Sequence, residues 1–562
     1  MDAEVVFSDF NLEYDKNFPP ISHVSGIANF GINGMKIAIA SGDVLNSKIS
    51  DGLVEIDNFL APTTLLKISG KSKGSASDGL KHVDYKSTFA TEIEKYLNGD
   101  SQNDFDIRIP LKEKINLKDT YIAVNSTIKS LNNPYLRGGV VINAKKDFKS
   151  SDFIAKADLT AAELTATSFD VTKAANIESN LSLVVDVRNP KLVAIKNIIL
   201  QKKENILEKT SKKSAQFRKS NSKITGEIAF ETSPFLFTAA DLKNDNFGRN
   251  NFSISYKIDK KTSTQKLFLR GKQFNLATLL AEKQKFSQAG AENKKFNNLQ
   301  IQIATDNLAL LHNKMIKNFY LSLNMEKGIF MRGLAKGDYA KSQLLSLKAE
   351  KKSENDPDLQ IEGNIFDVGY FAEAFGISDT ISGGDAKIKA HGHVADNKQV
   401  LIGEITISDN ITIYENQAVK KLASNTLFST IKDRIFSNDK TIFDSVKVDF
   451  RYVDGILNIK SLIANNYKIG ITAKGKVDLK NNIYDIRGMI VPGFIINNLF
   501  GIVRIPIIGN VISGLLTGGE GGGLFGIRYE YIRKKGDAEA TFETNKVSSF
   551  VPTSIKSLFD LI

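Results

Sequence analysis

Apolar and polar residues alternate one by one through much of this chain, and a period of two can bury one side only when the backbone is extended. In Ala386 to Val394 the set Ala386, Ile388, Ala390, Gly392 and Val394 opposes Lys387, Lys389, His391 and His393. Val446, Val448, Phe450 and Tyr452 oppose Lys447, Asp449 and Arg451. Ile469, Ile471, Ala473, Val477 and Leu479 oppose Lys468, Thr472, Lys474, Lys476 and Asp478. Phe525, Ile527, Tyr529 and Tyr531 repeat the pattern against Gly526, Arg528 and Glu530. Near the start, Met35, Ile37 and Ile39 face away from Lys36, Ala38 and Ala40. Each such strand has one dry face and one wet face. The expected fold is mainly β, a long antiparallel sheet, and its uncovered apolar stripe must curl, dimerise or hold something greasy.

Breaks in the alternation divide the chain. Residues 1–200 read as the first part of the sheet and 224–380 as its middle. Residues 381–562 read as a C-terminal domain. Between the first two, 201–223 is crowded with Lys, Ser, Glu and Asn and reads as an exposed polar loop. Polar excursions recur at Ala281 to Asn298 and at Glu350 to Leu359. Helical spacing appears at Tyr85 to Leu97 and at Ala418 to Phe436, the second amphipathic and expected to lie across the dry face.

Charge and composition narrow the function. The net charge of +12 comes from 75 Lys and Arg against 63 Asp and Glu, spread along the chain and interleaved in sign. That is a solvated surface with some attraction to anionic lipid, and nucleic acid is not an expected partner. The absence of Cys excludes disulfides and thiolate metal sites and leaves the compartment open. His391 and His393 share a strand face but no third ligand stands nearby in sequence, so no metal is expected. Gly470 to Lys476 mimics a phosphate loop, yet Val477 replaces the required hydroxyl and the segment alternates as a strand. No nucleophile elbow or carboxylate pair stands out. The expectation is no enzyme and no cofactor.

The most apolar stretch is 491–516, broken by Pro492, Pro506, glycines and Arg504, so it reads as short helical pieces at an interface and not as a membrane span. Phe494, Ile495, Ile496, Leu499, Phe500, Ile502, Val503 and Ile507 are its candidate membrane or groove-end contacts. Gly518, Gly519, Gly521, Gly522 and Gly523 form a candidate hinge after it.

Several pieces then occur in an order that carries a resemblance. Tyr484-Asp485-Ile486-Arg487-Gly488 precedes Val491-Pro492, and Asn497-Asn498 precedes Ile505-Pro506-Ile507-Ile508-Gly509. Gly521-Gly522-Gly523-Leu524-Phe525 leads into Ile527 to Tyr531, and Phe550-Val551-Pro552-Thr553 closes the chain with Leu558-Phe559. This set resembles the C-terminal end of the AsmA-like family of Gram-negative envelope proteins, in particular its YhdP-type members. One departure is that Arg533-Lys534-Lys535 delays the glycine at Gly536.

The resemblance implies a curved, U-shaped sheet whose groove carries phospholipid acyl chains between inner and outer membranes. It also implies a periplasmic location, with tethering through an N-terminal anchor that is missing or separate, since Met1 to Phe10 reads as strand. Envelope proteins at each end are the further partners it implies. Ile388, Val446, Val448, Phe450, Ile469, Ile471, Val477, Phe525, Ile527 and Tyr529 are the expected groove lining. The rival expectation is a structural β-solenoid or adhesin-like protein whose dry face is filled by its own side chains. A membrane β-barrel would also alternate, but it would end in a strand, whereas Pro552 to Ile562 reads as a short helix.

Overall fold

The computed structural model describes residues 2–13, 19–78, 97–111, 117–167, 170–189, 192–211, 214–232, 235–286, 298–339, 343–351, 358–395, 398–414, 440–467, 469–479, 481–492, 527–537 and 540–544. The fold is mainly β: all but three of the strands belong to one long sheet, and those three form a small second one. Every pairing described below is antiparallel. The sheet is not closed into a barrel, because Ala3–Leu12 pairs only with Ile21–Phe30 and Thr541–Thr544 only with Ile527–Arg533 among the described residues. The chain divides into two compact units, Met1–Ile258 with Lys266–Phe274, and Asp259–Gln265 with Asn275–Ile562.

In the first unit the alternation seen in sequence becomes cross-strand rows. Ala28, Ile37, Val54, Ile68, Ile107 and Ile122 stand side by side on successive strands. Such neighbours sit about 5 Å apart, so each row is a continuous apolar ridge. The row ends at Lys146, whose side chain is fully buried and whose ammonium donates to the carbonyls of Thr120 and Asp147. Burial pulls the pKa of Lys146 below its usual value.

Leu136–Lys146 next pairs with Asp152–Asp158 and then with Ala162–Ala166, skipping Leu159 to Ala161. Leu159 and Ala162 pack there against Ile128, Leu131 and Val140. Carbonyls from this irregularity and from the turn after Lys173 are gathered by the buried Lys173. Its ammonium donates to Thr160, Ala174 and Ile177 at 3.2, 3.0 and 3.3 Å. Burial lowers its pKa as well.

The expected loop over 201–223 is instead a long hairpin, Leu192–Ser211 with Ser214–Thr232, in register from Leu192↔Glu231 to Ser211↔Ser214. The flanking strands stop pairing at Ser179↔Lys202 and Lys223↔Asp245, so beyond those points the hairpin continues as a two-stranded ribbon. Polar composition suggested a loop. It misread the backbone, since a hairpin ladder satisfies its own N–H and C=O groups without any buried face.

The second unit repeats the row architecture and adds cover. The helix Val368–Ala374, capped by Asp367 whose Oδ1 accepts from the Tyr370 N–H at 2.9 Å, was not legible as an element because it is only two turns long. It anchors back to an earlier strand. Tyr370 Oη accepts from the Met315 N–H and donates to the Met315 carbonyl, both at 2.8 Å, and Lys314 pairs with Glu373 at 2.8 Å. The small sheet of Ile381–Ser382, Ile411–Tyr414 and Lys440–Phe443 lies in the same part of the unit.

A second helix, Ala277–Phe286, occupies the start of the polar excursion expected from Ala281. The stretch 491–516 begins differently from expectation: Val491 and Pro492 are the last residues of the strand Ile483–Pro492, paired with Gly470 and Ile469. The rest of that stretch lies outside the described residues. So do the expected helix at Tyr85 to Leu97 except Leu97 itself, the expected helices at Ala418 to Phe436 and Pro552 to Ile562, the hinge Gly518 to Gly523, and Phe525. Among the described residues no helix is long and apolar enough to cross a membrane.

Candidate functional site: an apolar trough

Four rows of side chains run across the strands of the second unit on one face. The first is Leu345, Ile365, Ala386, Ile407, Val446, Ala464, Ile471, Ile490 and Ile527. The second passes through Gly363, Ile388, Ile405, Val448, Leu462, Ala473, Gly488 and Tyr529. The third passes through Ile361, Ala390, Gly403, Phe450, Ile459, Gly475, Ile486 and Tyr531. The fourth, at the margin, holds Leu359, Gly392, Leu401, Tyr452, Leu457, Val477, Tyr484 and Arg533. The alternation of the sequence and the register of the sheet together make these rows one apolar surface.

That surface is concave. Gln399, two residues before Leu401 and on the same face, donates from Nε2 to the Phe330 carbonyl and accepts at Oε1 from the Phe330 N–H, both at 2.9 Å. Gln399 and Phe330 belong to strands separated by three others, which in a flat sheet would stand about 19 Å apart. The sheet therefore bends around its dry face. Bending crowds the concave side, and small residues relieve it: a Cβ on Gly403 would fall 2.4 Å from the Ala390 Cβ, and one on Gly488 would fall 2.7 Å from the Tyr529 ring. Register shifts at Asp449/Phe450 and Ile459/Leu462 add bend in the middle strands.

The sequence-expected lining residues fall into two groups. Val446, Ile469 and Tyr529 are 7%, 1% and 9% exposed and belong to a closed cluster with Ile411 and Phe443 of the small sheet. They are packed core. Tyr529 lies across its partner Gly488 and donates its hydroxyl to the Thr472 carbonyl at 3.1 Å, and burial drives its pKa far up. Ile388 and Phe450 are half-buried on the concave face, Val448 and Ile471 are half-buried and pack against that cluster, and Val477 is buried near the margin. Ile527 holds its expected row position; Phe525 lies outside the described residues. The trough is thus covered along its first row and less enclosed along its third and much of its fourth. Sequence could not separate these groups, because the covering strands Ile411–Tyr414 and Lys440–Phe443 are four residues each and distant in the chain.

The convex face is polar. Lys447 pairs with Glu404 at 3.1 Å, which raises the Lys447 pKa, Ser461 donates to Asp449 at 2.6 Å, and Arg487 pairs with Asp485 at 3.2 Å. His391 is exposed on this side and His393 half-buried. Among the described residues no three His, Asp or Glu side chains converge as a metal site. Gly470 to Lys476 lies within the strand Ile469–Asp478, so it offers no phosphate-cradling loop.

No protein-family model matches the chain, and no curated protein matches it.

Proposed function

We propose that this protein is a non-enzymatic lipid-transfer protein whose concave apolar face carries acyl chains, moving phospholipid between the inner and outer membranes of the cell envelope. The observation that carries the reading is the half-buried third row, bounded by Ile361 and Tyr531, on a face bent inward by the Gln399 contact. A row of apolar side chains left partly wet is unfavourable unless something apolar lies on it. The resemblance of the C-terminal stretch to AsmA-like proteins supports the same function and a periplasmic setting. The apolar residues from Phe494 to Ile507 would then dock the end of the trough on a membrane surface.

The closed cluster around Ile469 favours a second reading at that end, a structural β protein whose interior is self-filled. Organic extraction of the purified protein followed by mass spectrometry separates the two. Co-purifying phospholipid supports transfer, and a lipid-free protein with the same fold supports the structural reading.

A further inference from the structure

The four rows carry one charged residue. It is Arg533, at the end of the fourth row. Arg533 stands opposite Tyr484, and the Tyr484 ring stacks on Tyr531 with centroids 6.0 Å apart and planes 14° from parallel. The guanidinium donates through Nε and Nη2 to the Asp537 carbonyl oxygen at 3.3 and 3.2 Å. That acceptor is neutral, and among the described residues no carboxylate lies within ion-pair distance of Arg533. Arg533 is half-buried, and the Asp537 carboxylate of the same turn is engaged by the Lys534 N–H at 2.8 Å. Tyrosine rings, apolar in body and polar at the tip, suit the boundary where an apolar layer meets water.

We propose that Arg533, flanked by Tyr484 and Tyr531, is the headgroup site of the trough, binding the phosphate of a lipid whose acyl chains lie on the rows through Val448 and Phe450. This rests on the lipid-transfer reading and adds to it a place and a polarity for the bound molecule. A guanidinium keeps its charge at any physiological pH and presents a planar fork that matches phosphate oxygens. Burial and the neighbouring Tyr484 raise the pKa of Tyr531, against the lowering pull of Arg533. Lys534 and Lys535, exposed in the next turn, add positive potential on the same margin.

The test is equilibrium binding of phosphatidic acid and of diacylglycerol with the same acyl chains to the full chain and to Arg533→Gln and Arg533→Lys. The wild type should prefer phosphatidic acid by about tenfold or more, as a charged hydrogen bond requires. Arg533→Gln should lose the preference, and Arg533→Lys should recover part of it. Inorganic phosphate should not displace phosphatidic acid. Equal preference in wild type and Arg533→Gln, or full displacement by inorganic phosphate, overturns the headgroup site and leaves the trough reading standing. Failure of the wild type to bind either lipid overturns both. A thermal transition of Arg533→Gln matching the wild type confirms that a lost preference is not lost folding.

Discussion

The side-chain amide of Gln399 closes a two-bond clasp on the backbone of Phe330, 69 positions earlier in the chain. Because the clasp lies on the dry face, it draws the strands of Phe330 and Gln399 together and bends that part of the apolar face inward. Replacing Gln399 by Leu removes both bonds and leaves the Phe330 N–H and C=O to find water, at a cost of about 1–3 kcal/mol. Hydrogen exchange should quicken at the Phe330 amide and its neighbours and stay unchanged at Ile486. Unchanged exchange at Phe330 would show that the bend is held elsewhere.

Asp substitutions should divide the expected lining residues by whether they are covered. Ile469→Asp places an unpaired carboxylate in a closed cluster and should lower stability by several kcal/mol, with a clear loss of the thermal transition. Phe450→Asp, on the half-buried third row, should keep most of the fold and lose bound lipid. A photo-crosslinking residue at Phe450 or Ile486 should capture lipid while one at Lys447 or Asp449 should not. Equal capture from both faces contradicts the trough.

Lys146 gives a pH dependence with a definite sign. Its folded pKa lies below the unfolded value of 10.5, so over the interval between them the unfolded chain binds the extra proton. Stability contributed at this site therefore rises with pH through that interval and is lowest below it, where the ammonium is charged in both states. Comparing denaturant unfolding of the wild type and Lys146→Met between pH 7 and 10.5 should show the wild type gaining relative to the variant as pH rises. A flat difference would mean that Lys146 is charged when folded throughout.

Beyond Lys203 and Ser222, which still bond to Glu178 and Asn246, the ribbon makes ladder bonds only within itself among the described residues. Replacing residues 205–219 by a two-residue Asn-Gly turn should leave the sheet intact, with a thermal midpoint within about 2 °C of the wild type, since no other strand loses a partner. A large drop would show that the ribbon packs on other parts of the chain.

Strand content and face were fixed locally. Val446, Val448 and Phe450 alternating with Lys447, Asp449 and Arg451 can be sorted by water in one way only, whatever the neighbouring strands are. Turns were equally local: Asp454 and Gly455, at φ 49° and 91°, close the hairpin between Ser445–Val453 and Ile456–Asn465 because few other residue pairs accept that backbone. Tertiary structure decided what alternation cannot encode. It gathered Ile411 and Phe443 with Val446, Ile469 and Tyr529, so that these three, alike in pattern to Phe450, became core. It brought Gln399 to Phe330, and it left Arg533 at the end of otherwise uncharged rows. Each depends on groups far apart in sequence meeting through the bend of the sheet, and a period of two carries no information about bend.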